Sequence, residues 1–237
     1  MNLDNEKYAN MQKNMYNKIA RSMTLKNHKE HNSNPDLYNI LFSDVEKYKN
    51  GIALDFGCGG GRNIENLFKL TDWERVDGVD ISSNIIEGAR RNLQKLLSPN
   101  KYNLYTNSGV DVSILKDNSY DLIISTIVLQ HICVYDIRFS LLKDLFRTLK
   151  NGGQLSFQMG FGRKPQKRTI DYYENFYDAT TTNGNCDVVI ESENQIIDDL
   201  KKIGYIDIET AIRPVYTAPA SMKHTFHEKW IYIKAHK

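Results

Sequence analysis

The chain has 237 residues, and 31 Lys and Arg against 29 Asp and Glu leave a formal net charge of +2. That near balance excludes a strong field for gathering nucleic acid or an anionic membrane, so neither is an expected partner, and the length suits one sizeable α/β domain with an appendage. Cys58, Cys133 and Cys186 form no C-x-x-C pair and read as reduced thiols; with a polar N-terminus and no apolar run of about 18 residues, a soluble cytoplasmic protein is expected.

Residues 1–50 are polar and rich in Asn and Lys, with Pro35 as the firm break. Tyr8, Met11, Met15, Tyr16 and Ile19 make a weak amphipathic pattern. Leu37, Tyr38, Leu41, Val45 and Tyr48 recur at helical spacing and predict a helix packing one face on the main body. This segment is expected to cap a core that runs from Gly51 to Lys237.

From Gly51 short apolar runs alternate with amphipathic segments: IALDF then NIENLFKL, RVDGVDI then SNIIEGARRNLQKLL, YNLYT, YDLIISTIV then DIRFSLLKDLFRTLK, and GQLSFQM. Such alternation builds βαβ units with right-handed crossovers. It predicts the α/β class: a doubly wound, Rossmann-like, mostly parallel sheet with helices on both faces. Ser82 or Ser83 can cap the second helix, and Asn151, Gly152 and Gly153 can close the helix that ends at Leu149. The stretch GFGRKPQKRTIDYYENFYDATTTNGNC is too long for an ordinary connection and predicts an insertion at about 160–190. NQIIDDLKKIGYIDIETAI follows as a helix and a strand, and FHEKWIYIKAHK alternates as a final strand.

Gly57, Gly59, Gly60 and Gly61 lie between the first strand and its helix. In an open α/β sheet this loop is the usual ligand cradle, and glycine removes the Cβ that would hold a ligand off. A dinucleotide fingerprint, G-x-G-x-x-G counted from Gly57, meets Arg62 where its third glycine belongs, whereas D-x-G-x-G-x-G from Asp55 to Gly61 is complete. A carboxylate at Asp55 suits a ligand carrying an ammonium group better than a pyrophosphate.

Residues 51–159 resemble a class I S-adenosylmethionine-dependent methyltransferase of the small-molecule type. LDFGCGGG resembles that family's first motif, VDGVDIS its second strand ending in an acid, SYDLIISTIVLQHI its fourth strand, and LKNGGQLSFQ its fifth. The resemblance implies S-adenosyl-L-methionine as cofactor, S-adenosyl-L-homocysteine as product, and a seven-stranded sheet whose last strand is antiparallel. It implies that Asp55, Gly57, Cys58, Gly59 and Gly61 hold the methionine end, that Asp80 accepts from both ribose hydroxyls, and that Ile81 packs on the adenine. Gly109 and Val110 would flank the ring; Asp111 would either reach its exocyclic amine or cap the next turn. Ser125 and Ile127, at the end of the fourth strand, would face the reactive methyl.

Methyl transfer from a sulfonium needs alignment and exclusion of water, and a base only where the acceptor must lose a proton. The N/D-P-P-Y tetrad of nucleic-acid amino-methyltransferases is absent here, which argues against methylation of adenine or cytosine. His131 is the base candidate by type and location, with a backbone-bonded structural histidine as the alternative. The resemblance also implies that the segment before the first strand folds over the cofactor and shapes the acceptor pocket, which makes Tyr16, His28, His31 and Asn34 candidates for cofactor or substrate contact, with Gln130 a further substrate candidate. Arg163, Lys164, Lys167 and Arg168, followed by Tyr172 and Tyr173, either grip a phosphate or carboxylate of the acceptor or form a solvated loop before core aromatics. No metal is expected: His28 and His31 lack a third ligand, and His224 and His227 would point to opposite faces of a strand.

The expected activity is methyl transfer to an oxygen or nitrogen of a small molecule, with an anionic or phosphorylated metabolite or a sugar precursor in view. The alternatives are an NAD(P)-dependent oxidoreductase, disfavoured by Arg62 and Asp55, a non-catalytic S-adenosylmethionine-binding protein, and an RNA methyltransferase, disfavoured by the mild charge.

Overall fold

A computed structural model describes residues 3–30, 37–164, 169–178, 187–214 and 226–237, without the side chains of 25–30 and 37–38. The apolar runs after Gly51 become strands, the central ones buried on both faces as a sheet covered by crossover helices requires, with the edge strand β3 half-buried. These are β1 (Ile52–Phe56), β2 (Arg75–Asp80), β3 (Leu104–Thr106), β4 (Tyr120–Ser125) and β5 (Leu149–Arg163). They pair in parallel in the order β3-β2-β1-β4-β5. The helices between them are α2 (Arg62–Leu70), α3 (Ser83–Leu93) and α4 (Tyr135–Thr148).

Beyond β5 come β6 (Thr169–Asp171), β7 (Asp187–Ile190), α5 (Glu193–Ile203), β8 (Ile206–Pro214) and β9 (His227–His236). β9 runs antiparallel between β5 and β8, which completes a seven-stranded mixed sheet. The insertion adds two strands to it. β5 outruns β4, and on the side this frees, Gly160 and Phe161 pair with Val189 and Ile190 of β7, with β6 beyond. The sheet therefore has nine strands.

α4 and α5 seal one face of the sheet over Leu54, Ile123, Leu141, Leu145 and Leu155. α2, α3 and residues 37–48 seal the other over Ala53, Ile64, Leu67, Leu122 and Trp230. Each fully buried aliphatic side chain contributes about 1.5–3 kcal/mol. The helix predicted from Leu37 to Tyr48 is two short pieces instead, a π-helical turn Leu37–Leu41 and a 3-10 turn Val45–Tyr48. Between them Ser43 and Asp44 accept hydrogen bonds from Lys234 of β9, so the chain is tied to the sheet where a continuous helix would lift away. Asn151, Gly152 and Gly153 lie inside β5 and do not close α4, because Leu149 already pairs with Tyr120. Cys58 is a free thiol but Cys133 is disulfide-bonded, which corrects the expectation of three reduced cysteines. Among the described residues no helix is long and apolar enough to cross a membrane.

The weaker N-terminal pattern proves to be the longer element, α1 (Leu3–Glu30). It docks on α3. Gly88 makes the close approach: a Cβ there would come within 2.1 Å of Thr24 Cγ2. Polar latches flank that contact, with Ser82 Oγ donating to Asn17 Oδ1 at 2.6 Å and Asn92 Nδ2 to the Thr24 carbonyl at 3.4 Å. Near its start, the Tyr8 hydroxyl accepts from the Cys133 N–H at 2.7 Å and donates to the His131 carbonyl at 3.3 Å.

Gly88→Ala should therefore unseat α1, because overpacking at a helix contact costs about 1–3 kcal/mol. Limited proteolysis should cut the first thirty residues faster in the variant while the sheet keeps its circular dichroism. Wild-type cleavage rates would show that Thr24 and Gly88 do not hold the two helices together.

Candidate active site

Strand order reverses between β1 and β4, so the loops leaving their carboxyl ends part and open a crevice there. The glycine turn after β1 forms one wall. Gly57 has φ of 76°, and a Cβ on it would come within 2.3 Å of Val128 on the β4 loop, so no L side chain fits. The N–H groups of Gly57 and Cys58 donate to the Val79 carbonyl at 2.8 and 3.0 Å, which lays the turn against the end of β2.

Asp80 terminates β2 and is oriented by main chain. One carboxylate oxygen accepts from the Gly59 N–H at 3.1 Å and the other from the Ser82 N–H at 3.0 Å. Ser82 in turn caps α3 by accepting from the Ile85 N–H at 3.1 Å. Asp80 lines the cavity yet is only 9% exposed, and burial pushes its carboxyl up to about 6 against the pull of those N–H groups.

Asp55 stands behind the wall. It accepts from Asn63 Nδ2 at 3.2 Å, and the same amide donates to Thr126 Oγ1 at 2.9 Å, so Asp55 acts on the cavity through two residues that do line it. Its Oδ2 is buried without a partner among the described residues, and burial, opposed by Asn63, pushes the carboxyl up to about 7. The sequence had pointed to Asp55 and missed Asn63 and Thr126.

Of the other cofactor candidates, Cys58, Ile81, Gly109 and Ile127 lie on the cavity wall, whereas Gly59, Gly61, Val110 and Ser125 lie off it. Asp111 serves as a cap, accepting from the Ser113 N–H at 3.1 Å and the Ser113 hydroxyl at 2.8 Å. Asn107, not foreseen, lines the cavity in its place. Ile127 carries φ of 59°, a left-handed conformation that costs a β-branched residue on the order of 1–3 kcal/mol and turns the chain sharply at the end of β4.

The opposite wall comes from α1 and from the 3-10 turn Leu129–His131. Tyr16 and His131 both face the cavity, joined by Tyr8 and Gln12. The Tyr16 phenol is pushed up by burial and by the nearby carboxylates of Asp80 and Asp187, so it stays protonated. His131 Nδ1 lies 2.9 Å from Asp187 Oδ1. Asp187 opens β7, so the insertion delivers it, and nothing local in the sequence marks it.

The remaining acceptor candidates lie elsewhere. Gln130 is buried off the wall. Tyr172 is in the core, donating to Asp199 Oδ2 at 2.9 Å, and Tyr173 is half-exposed and donates to the Gln195 carbonyl at 3.3 Å. Arg163 is engaged at the surface by Asp171 and, at 3.1 Å, by Glu191. Arg163 thus ends β5 instead of lying in a loop, and of the two tyrosines Tyr172 is the one that packs in the core. The side chain of His28, and all of His31, Asn34, Lys167 and Arg168, lie outside the described residues. Among the described residues no three His, Cys, Asp or Glu converge to hold a metal ion.

Comparison with known proteins agrees with this geometry. Residues 54–157 match the model of a methyltransferase domain family. The chain is 29% identical, over 44% of its length, to the mitochondrial ubiquinone biosynthesis O-methyltransferase of Candida albicans, and 28% identical, over 72%, to O-methyltransferase 3 of Dictyostelium discoideum. It spans only 30% and 40% of those two proteins. Phosphoethanolamine N-methyltransferase 2 of Haemonchus contortus, solved with S-adenosyl-L-methionine, shares the fold with a TM-score of 0.60 at 16% identity, over 83% of this chain and 52% of that one. The motif residues, the strand order and the family match over residues 54–157 thus agree in likening this part of the chain to the class I, S-adenosylmethionine-dependent methyltransferases.

Proposed function

We propose that this protein transfers a methyl group to an oxygen or nitrogen of a small molecule, with α1 of the N-terminal segment as the cap over the cavity and the insertion backing His131 through Asp187. One observation carries this reading. A buried carboxylate oriented by backbone N–H groups, Asp80, and a carboxylate-backed imidazole, His131, open onto the same cavity.

The residues present fit S-adenosyl-L-methionine, which when bound supplies an electrophilic methyl carbon on a sulfonium. Asp80 offers two acceptor oxygens to a ribose diol. Ile81 and Asn107 flank a slot beside Gly109, where a Cβ would come within 2.6 Å of Ile81 Cδ1. The glycine turn, Asn63 and Thr126 would take the amino-acid end, with the orphaned oxygen of Asp55 adding negative charge behind them. Tyr8, Tyr16 and Ile127 keep water from the strand ends, and His131 would receive the proton that an acceptor hydroxyl or amine gives up. An anionic acceptor is the neighbour's case, phosphomonomethylethanolamine having been solved bound to the Haemonchus protein. Here Arg163 is held at the surface by carboxylates, while Arg62 is a cation on the cavity wall that an anionic acceptor could meet.

Methyl-labelled cofactor incubated with small-molecule extracts should yield a labelled product. Binding of the cofactor without incorporation would support a non-catalytic binding protein, and binding of a dinucleotide in its place would support an oxidoreductase.

Asp80→Ala should weaken S-adenosylhomocysteine binding by about 1–3 kcal/mol in calorimetry, through the loss of charge-assisted hydrogen bonds. An unchanged affinity would remove its ribose role.

The pH dependence of binding follows from the same carboxylates. In the folded protein Asp80 and Asp55 titrate near 6 and 7, above about 3.9 for an unfolded Asp. At these two carboxyls the folded ligand-free state thus holds protons that the unfolded chain has released, so their contribution to stability is lost as pH rises from about 4 to 7, while buried His227, whose imidazole is pushed down, contributes in the opposite sense. A ligand that requires the ionised carboxylates should bind more tightly at pH 8 than at pH 5.5 and release protons on binding. Calorimetry in buffers of different ionisation enthalpy reads this directly, and proton uptake would contradict it.

His131→Gln should lower methyl transfer about 10²–10⁴-fold while leaving S-adenosylhomocysteine affinity unchanged. A normal rate across pH would make His131 a structural residue.

A further inference from the structure

We propose that His131, Asp187 and His227 form a three-member array running from the cavity wall into the interior, in which Asp187 fixes the His131 ring and His227 fixes Asp187. The inference rests on the reading of His131 as the base and adds two positioning residues to it.

Asp187 is the first residue of β7, and its two oxygens are divided between two imidazoles. Oδ1 lies 2.9 Å from His131 Nδ1 and Oδ2 lies 3.5 Å from His227 Nδ1. His227 is the first residue of β9, arriving on the far side of β5, and is fully buried. Its ring occupies the place of a missing side chain, for a Cβ on Gly160 of β5 would come within 2.7 Å of it. Trp230 holds the opposite side, its ring centroid 4.1 Å from that of His227. One 3-10 turn and two strands that are distant in sequence therefore build one polar cluster that reaches the cavity at His131.

A carboxylate this buried is costly to ionise unless donors surround it. The two histidines hold the Asp187 carboxyl well below the usual carboxylate range despite its burial. Burial pushes the His227 imidazole down against the pull of Asp187, which leaves it a neutral N–H donor. With the protons on both Nδ1 atoms, the array at rest is one carboxylate at ion-pair distance from two donors, although Asp187 Oδ1 makes no hydrogen bond of full geometry among the described residues. That arrangement leaves the lone pair of His131 on Nε2. When an acceptor X–H is methylated, a lone pair on X forms the new X–C bond, the C–S pair stays on sulfur, and the X–H pair stays on X as the proton passes to Nε2. The resulting imidazolium is stabilised by Asp187, which keeps its charge.

Other charged and titratable groups face the array from each packed element. Tyr8 and Tyr16 approach from α1, Arg138 of α4 donates to the Ile132 carbonyl beside the histidine turn, and Lys164 at the end of β5 acts on His227. Asp187 is the carboxylate in contact with both rings.

Nitrogen-15 histidine spectra of the full chain, titrated with pH, test the array without any acceptor. In the wild type at high pH, His131 should carry its proton on Nδ1; a proton on Nε2 would overturn the inference with no variant needed. In Asp187→Asn the His131 protonation midpoint should fall by about one pH unit or more, as expected when an opposite charge is withdrawn. Gly160→Ala, which displaces the His227 ring, should instead raise it, because the carboxylate then has one donor fewer. An unmoved midpoint in Asp187→Asn, with S-adenosylhomocysteine affinity retained as a check on folding, would dismiss Asp187 as a positioning residue. If the midpoints move as described while the pH profile of methyl transfer is the same in wild type and Asp187→Asn, the array stands and the base role of His131 falls.

Discussion

Asp80 is the constraint on which the rest of the site depends. A carboxylate placed at a strand end and almost wholly buried must find donors, and backbone N–H groups of Gly59 and Ser82 provide them. That requirement draws the glycine turn toward β2. It also places Ser82 at the head of α3, where its hydroxyl both caps the helix and contacts Asn17 of α1. The wall that would hold a ribose and the helix that closes the cavity thus share one serine.

The two sides of the cavity are made by different physics. The β1–β2 side is local: consecutive strands, a short turn and a cap, each set by neighbours in sequence. The His131 side is assembled from a distance, because β5 extends past β4 and so offers pairing sites on both edges, one to β7 and one to β9. Those two strands begin with Asp187 and His227. A long strand at the centre of the sheet is what allows an insertion to reach the chemistry without disturbing the core beneath it.

Buried polar groups are held here at the expense of local comfort. Ile127 accepts a left-handed backbone so that the β4 loop can turn beside Gly57, and Arg138 is buried with its guanidinium donating to the carbonyls of Ile132 and Tyr172. These contacts pin the turn that carries His131 to α4 on one side, while Tyr8 pins it to α1 on the other. Such a histidine is positioned by its backbone before any ligand arrives, and preorganisation of this kind spares the reorganisation that a mobile base would need.

The sequence alone determined the doubly wound sheet, the glycine turn and the acid at the end of β2, because each is written in hydrophobic period and in residue spacing within one βαβ unit. It also marked His131, since that residue follows directly on β4. Only the tertiary structure decided that Asp55 works through Asn63 and Thr126, that Tyr172, Tyr173 and Arg163 turn away from the cavity, and that Asp187 and His227 meet beside His131. Those contacts join strands and helices that are far apart along the chain, and the register of β5 with β7 and β9 has no local signature. A carboxylate or an imidazole in an insertion looks the same in sequence whether it faces solvent or completes a site; strand pairing makes the difference.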